Sequence, residues 1–344
     1  MTPETVALTA VGVVAGLAAA LALRLTVPSL RGSGRRLVGL AIVVGGETTV
    51  LGLTTGAAQA PYLIDLAAMA AVVLVLLLVA ADAAGAGPRI RWLVPAVWGV
   101  VVLPATALGP LLATAGCPGE PCELQDFGGA LPLALAPSAF VLFAVLVPRA
   151  ARRKLPEFPP RRAAILGGVL WAAFLVWITA MEGAIDAYTP TLLLAGLVGP
   201  AVGAVLWLVV DLVRRAHRPV ARSLALGAMT GIVATLAGAA TVTPPWSLAV
   251  AALAGAIGAG VARRRTVTVA RVGWVVLSAA LVGLLAPVVS GDAVGVLFTA
   301  QIGAVPVAVE AAAATALFAA TVSVPVWVGI RLAIRRVSPA GRGR

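Results

Sequence analysis

Few side chains in this sequence can do chemistry, and they do not gather. The chain has 1 His, 2 Cys and 13 Asp and Glu in 344 residues. His217 lies in the basic stretch RRAHRPVAR, without the partners that a metal site or a catalytic triad needs. Walker, HExxH and CxxC patterns are all missing. The sequence therefore reads as that of no enzyme, with no cofactor and no bound metal. Cys117 and Cys122 flank a Pro-Gly-Glu-Pro turn in CPGEPCELQD. That turn brings two sulfurs within reach of a disulfide if the loop faces an oxidising compartment; two free thiols are the equal alternative.

Two carboxylates stand out by position. Glu47 lies in the middle of the apolar run VVGGETTVLG. An ionisable group at such a depth costs several kcal/mol unless it is paired or faces water. A neutral Glu bonded to a neighbouring helix is the plain reading, with Thr48 and Thr49 competing locally. Asp126 precedes an apolar helix in LQDFGGALPLALAP, where an Asp is expected to cap the helix start and, secondarily, to supply negative charge. Asp65 and Glu310 are expected in the outer turns of their spans, favouring a helix N-terminus.

The elements that position these groups are apolar helices. The chain is 61% hydrophobic and 11% charged, with a mean hydropathy of +1.07. Such a composition cannot cover a soluble surface of this size. Apolar runs of the length that crosses hydrocarbon recur throughout. They lack period-2 alternation, so helices are expected and not a barrel. We read spans near 6–23, 37–55, 62–81, 92–115, 130–147, 163–181, 190–210, 223–243, 246–262, 272–289 and 307–331. Pro306 is expected to separate an outer segment from the last span. With no basic residue ahead of it, 6–23 reads as a retained span.

Charge supports this division. The net charge is +12, yet all 25 Lys and Arg fall in alternate connections, from Arg24, Arg31, Arg35 and Arg36 to Arg331, Arg335, Arg336, Arg342 and Arg344. The pattern expects those segments inside, the N-terminus outside and the C-terminus inside. Nucleic acid is not needed to explain the charge. The lipid bilayer is the partner, with anionic headgroups available to the Arg clusters. The other face is expected to hold Glu4, Glu120, Glu123, Asp126, Glu182, Asp186 and Asp292, and a negative potential that attracts cations.

Several segments, in order, resemble the ammonium transporter family (Amt/Mep/Rh). LQDFGGALP is similar to its D-F-A-G-G opening of the fifth helix, and GETTVLG to its G-Y-S-L-A-F-G. Trp207, Asp211, Pro219, Gly227, Gly231, Thr235, Pro245 and Trp246 match its W-L-x-x-E, K-P, G-x-x-A-G-L-V-A-I-T and P-W order. Trp177 falls in its sixth-span aromatic run. The resemblance implies an all-α inverted-repeat bundle in one membrane domain over 1–344. Pseudo-repeat A covers about 6–147, pseudo-repeat B about 163–289, and a final span about 307–331. It further implies a homotrimer in the cell membrane that conducts ammonium or ammonia.

The departures concern the pore. Where the family carries facing imidazoles, this chain has Ala134 (or Leu133 with a gap) and a residue near Val276. Ala180 and Ala68 replace the aromatic gates. Pro110 or Leu111 stands near the outer Trp position, and Ala184 near the usual Ser. These residues imply three alternatives: a narrow apolar channel for ammonia or another small neutral species, a channel for a different small solute, or a non-conducting scaffold or sensor. A continuous lumen around Ala134, Val276 and Glu47 would favour conduction; packed side chains there would favour the scaffold.

Overall fold

The computed structural model describes residues 2–27, 34–55, 60–113, 124, 126–147, 159–216, 218–262, 268–291, 295–300 and 302–337. The helices are α1 (Pro3–Thr26), α2 (Gly34–Thr55), α3 (Ala60–Ala83), α4 (90–113), α5 (131–146), α6 (Pro160–Ala180), α7 (Thr189–Val213), α8 (Val220–Leu236), α9 (Pro244–Val261), α10 (Val269–Ser290) and α11 (Ala304–Val337), with a short turn of helix at Val296–Thr299 before the last. Seven of the described helices are long and apolar enough to cross a membrane, and three shorter apolar ones cover 131–146, 164–180 and 220–236. Each expected span coincides with a helix.

Local chemistry explains several boundaries. Thr2 caps α1 through its hydroxyl, Pro3 occupies the first turn, Glu4 meets the positive end and Arg24 the negative end. In α4 the Leu103 N–H reaches back five residues to the Trp98 carbonyl, and in α5 the Ala136 N–H does the same to Leu131. Each widened turn ends immediately before a proline, Pro104 or Pro137. The ring needs room at the carbonyl four residues back, and a wide turn supplies it.

Two expectations about boundaries are corrected. The eighth span was expected to reach 243, but α8 stops at Leu236, and 237–241 form a turn leading to a β-bridge between Val242 and Gly291. Pro306 does not separate the last span from an outer segment. It lies in the first turn of α11, where a missing N–H costs nothing, and the break falls at Ala300, in the left-handed region with φ of 58°.

The helices knit through small residues and tryptophans. α7 packs on α8 and α9, α1 on α3 and α6, and α5 on α10 and α11. A Cβ on Gly203 would lie 2.6 Å from the Gly227 carbonyl oxygen, and one on Gly231 2.5 Å from that of Gly199. The two GxxxG patterns therefore face each other, backbone against backbone. Trp98, Trp177, Trp207 and Trp327 are fully buried. The Trp327 indole N–H donates to the Phe140 carbonyl at 2.9 Å, bracing α11 against α5.

Candidate functional site

The start of α5 is built by reciprocal capping. Helix α8 ends inside the bundle, so its last carbonyls need donors. The Phe127 N–H donates to the Ala237 carbonyl (3.1 Å) and the Gly128 N–H to the Leu236 carbonyl (2.8 Å). A side chain at residue 128 would collide with Leu236, and Gly129 sits at a φ of +65°. Both glycines of the D-F-G-G turn are thus required by close approach and by handedness. The Asp126 carboxylate then receives the Ala130 and Leu131 amides, the latter at 2.8 Å. Burial pushes the Asp126 carboxyl up to about 6, and those two amide donors oppose the rise. Asp126 is 8% exposed, so its contact with an outer cation is restricted and its capping role is direct.

Beyond this turn the packing is apolar. Ala134 lies within the widened turn of α5 and is 2% exposed; Leu133 is buried beside it. Val276 on α10 is half-buried and packs against the same core cluster. α10 crosses α5 closely, since a Cβ on Gly273 would lie 3.2 Å from the Ser138 carbonyl oxygen. No imidazole or carboxylate enters this contact among the described residues.

Trp177, expected in an aromatic run along the pore, serves as a tie between helices. Its indole N–H donates to the Asp65 carbonyl at 2.9 Å, joining α6 to α3, and its ring is fully buried, tilted against Phe174. Ala180 is buried next to it at the C-terminal end of α6. Ala68 lies against α1, where a Cβ on Gly16 would meet its backbone at 2.8 Å. A Cβ on Gly12 would meet both Asp65 Oδ1 (2.5 Å) and the Ala180 Cβ (2.8 Å). The carboxyl of Asp65 thus sits between α1, α3 and α6 at the place where the resemblance puts an aromatic gate. It is 1% exposed, and its Oδ1 accepts no hydrogen bond among the described residues. Asp65 lies in the second turn of α3, among the end turns expected for it, but it faces inward and does more than favour a helix N-terminus. Glu310 is exposed in the second turn of α11.

Glu47 is half-buried, and its Oε2 is buried without a partner among the described residues. The two threonines beside it do not compete for it. Thr48 donates to the Val44 carbonyl and Thr49 to the Gly45 carbonyl, both within α2. Ala184 is half-buried in the loop 181–188, next to Glu182, which accepts the Thr189 hydroxyl at 2.7 Å. Burial raises the Glu182 carboxyl, the Thr189 hydroxyl opposes, and Asp186 adds to the rise. Cys117, Cys122 and His217 lie outside the described residues, as do the side chains at Pro110 and Leu111.

The matched residues of α7 form a buried clamp at the opposite end of the bundle. Asp211 accepts the Trp207 indole (3.0 Å) and the Ser223 hydroxyl (2.7 Å), and pairs with Arg218 at 3.0 Å. The guanidinium also lies over the Trp207 ring, 6.0 Å from its centroid. The resemblance marks Trp207 and Asp211 as a motif; their hydrogen bond over one helical turn explains its spacing.

No family model matches the chain, and no curated protein matches its sequence. Solved structures do match. Candida albicans Mep2 aligns with a TM-score of 0.76 at 15% identity, covering 97% of this chain and 84% of its own. Saccharomyces cerevisiae Mep2 aligns with a TM-score of 0.74 at 13% identity, over 98% and 86%. A protein described as a sensor Amt protein aligns with a TM-score of 0.73 at 14% identity, over 97% and 93%. These neighbours are ammonium transporters and a sensor variant, and none is named as an enzyme. Over essentially its whole length, this chain has the all-helical membrane fold of the ammonium transporters.

Proposed function

We propose that the chain is a divergent ammonium-transporter family protein that passes a small neutral molecule, ammonia first, through a narrow apolar path in the cell membrane. It does so with eleven spans, the N-terminus outside, the C-terminus inside, and three copies to an assembly. One observation carries the reading. The chain shares its fold with Mep2 over nearly its whole length and holds its D-F-G-G turn against the end of α8, and the sequence resemblance sets Ala134 and a residue near Val276 where the family carries imidazoles. A bare cation is very costly in an apolar path. With only Ala and Val at mid-depth, a neutral species is the one that such a path admits.

A second reading is favoured by the burial of Ala134, which belongs to one continuous apolar core. On that reading the path is closed and the chain is a sensor or scaffold. Proteoliposome uptake separates the two. Ammonia flux that does not respond to membrane potential is the expected result. Potential-driven methylammonium flux would overturn the neutral species, and flux equal to that of empty liposomes would establish the closed path.

A further inference from the structure

The corner formed by α1, α2 and α3 holds a groove of about 480 Å³. Its walls are apolar along α1 (Val13, Leu17), α2 (Leu37, Ile42) and α3 (Ala68), and its end is marked by Arg24. Its one polar wall residue other than Arg24, Thr49, has its hydroxyl bonded to the Gly45 carbonyl. Ile42 and Leu17 are exposed, so the groove opens sideways from the bundle, toward lipid. From Val13 to Arg24 the helix rises about 16 Å at 1.5 Å per residue. That is close to one leaflet of hydrocarbon, about 15 Å.

Arg24 is half-buried, and its Nε is buried with no hydrogen-bond partner among the described residues. No carboxylate of the described residues neutralises it by an ion pair. Exposed Arg35 and Arg36 open α2 at the same end, immediately before the groove residues Leu37 and Val38. The groove is therefore apolar for one leaflet's depth and cationic at its end.

We propose that this groove is a binding site for an anionic phospholipid, one acyl chain lying along α1, α2 and α3 and the phosphate on the Arg24 guanidinium. A second copy of the chain is a poorer occupant, because a packed apolar helix would leave Arg24 without a counter-charge. A zwitterionic lipid brings an amine beside three guanidinium groups. The site does not depend on whether the bundle conducts.

The test uses the full chain in detergent, stripped of lipid, with phosphatidylglycerol and phosphatidylcholine of identical chains as probes, read by native mass spectrometry and thermal shift. Phosphatidylglycerol is expected to bind about fivefold more tightly. Arg24→Gln should remove that preference, Arg24→Lys should keep most of it, and Ala41→Trp, which fills the groove, should weaken both lipids. Equal binding of the two lipids to the unmodified chain would overturn the proposal, as would an undiminished preference in Arg24→Gln. Inorganic phosphate reproducing the stabilisation would show a soluble-anion site and overturn it. So would cross-links between copies through Ala41→Cys that lipid fails to suppress.

Discussion

Glycine does opposite work in two regions of this bundle. Between α7, α8 and α9 it is the contact itself: a Cβ on Gly203 would strike α8 at 2.6 Å, and one on Gly255 would strike Gly203 at 2.5 Å. On α2, a Cβ on Gly39, Gly45 or Gly46 would meet nothing within 4 Å. In lipid, apolar helices gain little from hiding apolar surface from one another, so close packing and buried polar bonds decide which helices adhere. The first region is locked by backbone approach and finished by the Asp211 clamp. The second leaves a corner open, and that corner is where the lipid groove lies.

The contrast can be broken most severely at Gly203. Gly203→Leu is expected to push α7 away from both α8 and α9, at a cost above about 4 kcal/mol, enough to abolish folding. Loss of the monodisperse peak in size-exclusion chromatography would show it; a well-folded variant would refute the close approach. Next comes Asp211→Ala, which leaves Arg218 buried beside Trp207 without its carboxylate. A loss of about 3–5 kcal/mol is expected, read as a lower melting temperature.

Asp126→Ala removes two amide acceptors at the start of α5 and is expected to cost about 1–2 kcal/mol. Asp126→Asn tests its proton. The folded pKa of about 6 lies above the ordinary aspartate value of about 3.9. The folded state therefore holds this proton more tightly than the unfolded state, and stability falls as pH rises from about 4 to 6. The Asn variant should lack that fall in a melting-temperature profile; an unchanged slope would assign it to other carboxyls.

The smallest effect is expected at Gly45. Gly45→Ala meets open space and should be neutral or stabilising by up to about 1 kcal/mol. A large destabilisation in chemical unfolding would mean that α2 is packed as tightly as α7.

The open corner and the locked core differ in how far the sequence shows them. Each expected span is found as a helix because hydrocarbon demands long apolar segments with internal backbone bonds, a requirement written residue by residue. The D-F-G-G turn and the Trp207–Asp211 pair were visible through the family resemblance, and the parts of them that are local, the Asp126 cap on the Ala130 and Leu131 amides and the Trp207–Asp211 bond over one turn, have their partners within a turn or two. Asp126 could be assigned as a helix cap from its place before an apolar run.

Other features depend on residues distant in the chain. Helix α8 ends at Leu236 because Phe127 and Gly128 arrive to take its carbonyls, about a hundred positions away in sequence. Trp177 has the composition of a pore aromatic, yet its indole is spent on the Asp65 carbonyl. Asp65 looked like a helix-start acid until Gly12 and Ala180 enclosed it. Composition and charge order were enough for a helical membrane bundle with its cations on alternate connections. Which glycines touch, which carboxyls are buried and where a groove remains were settled only by helix-to-helix approach, because packing in lipid depends on shape across the bundle and leaves no period along the chain.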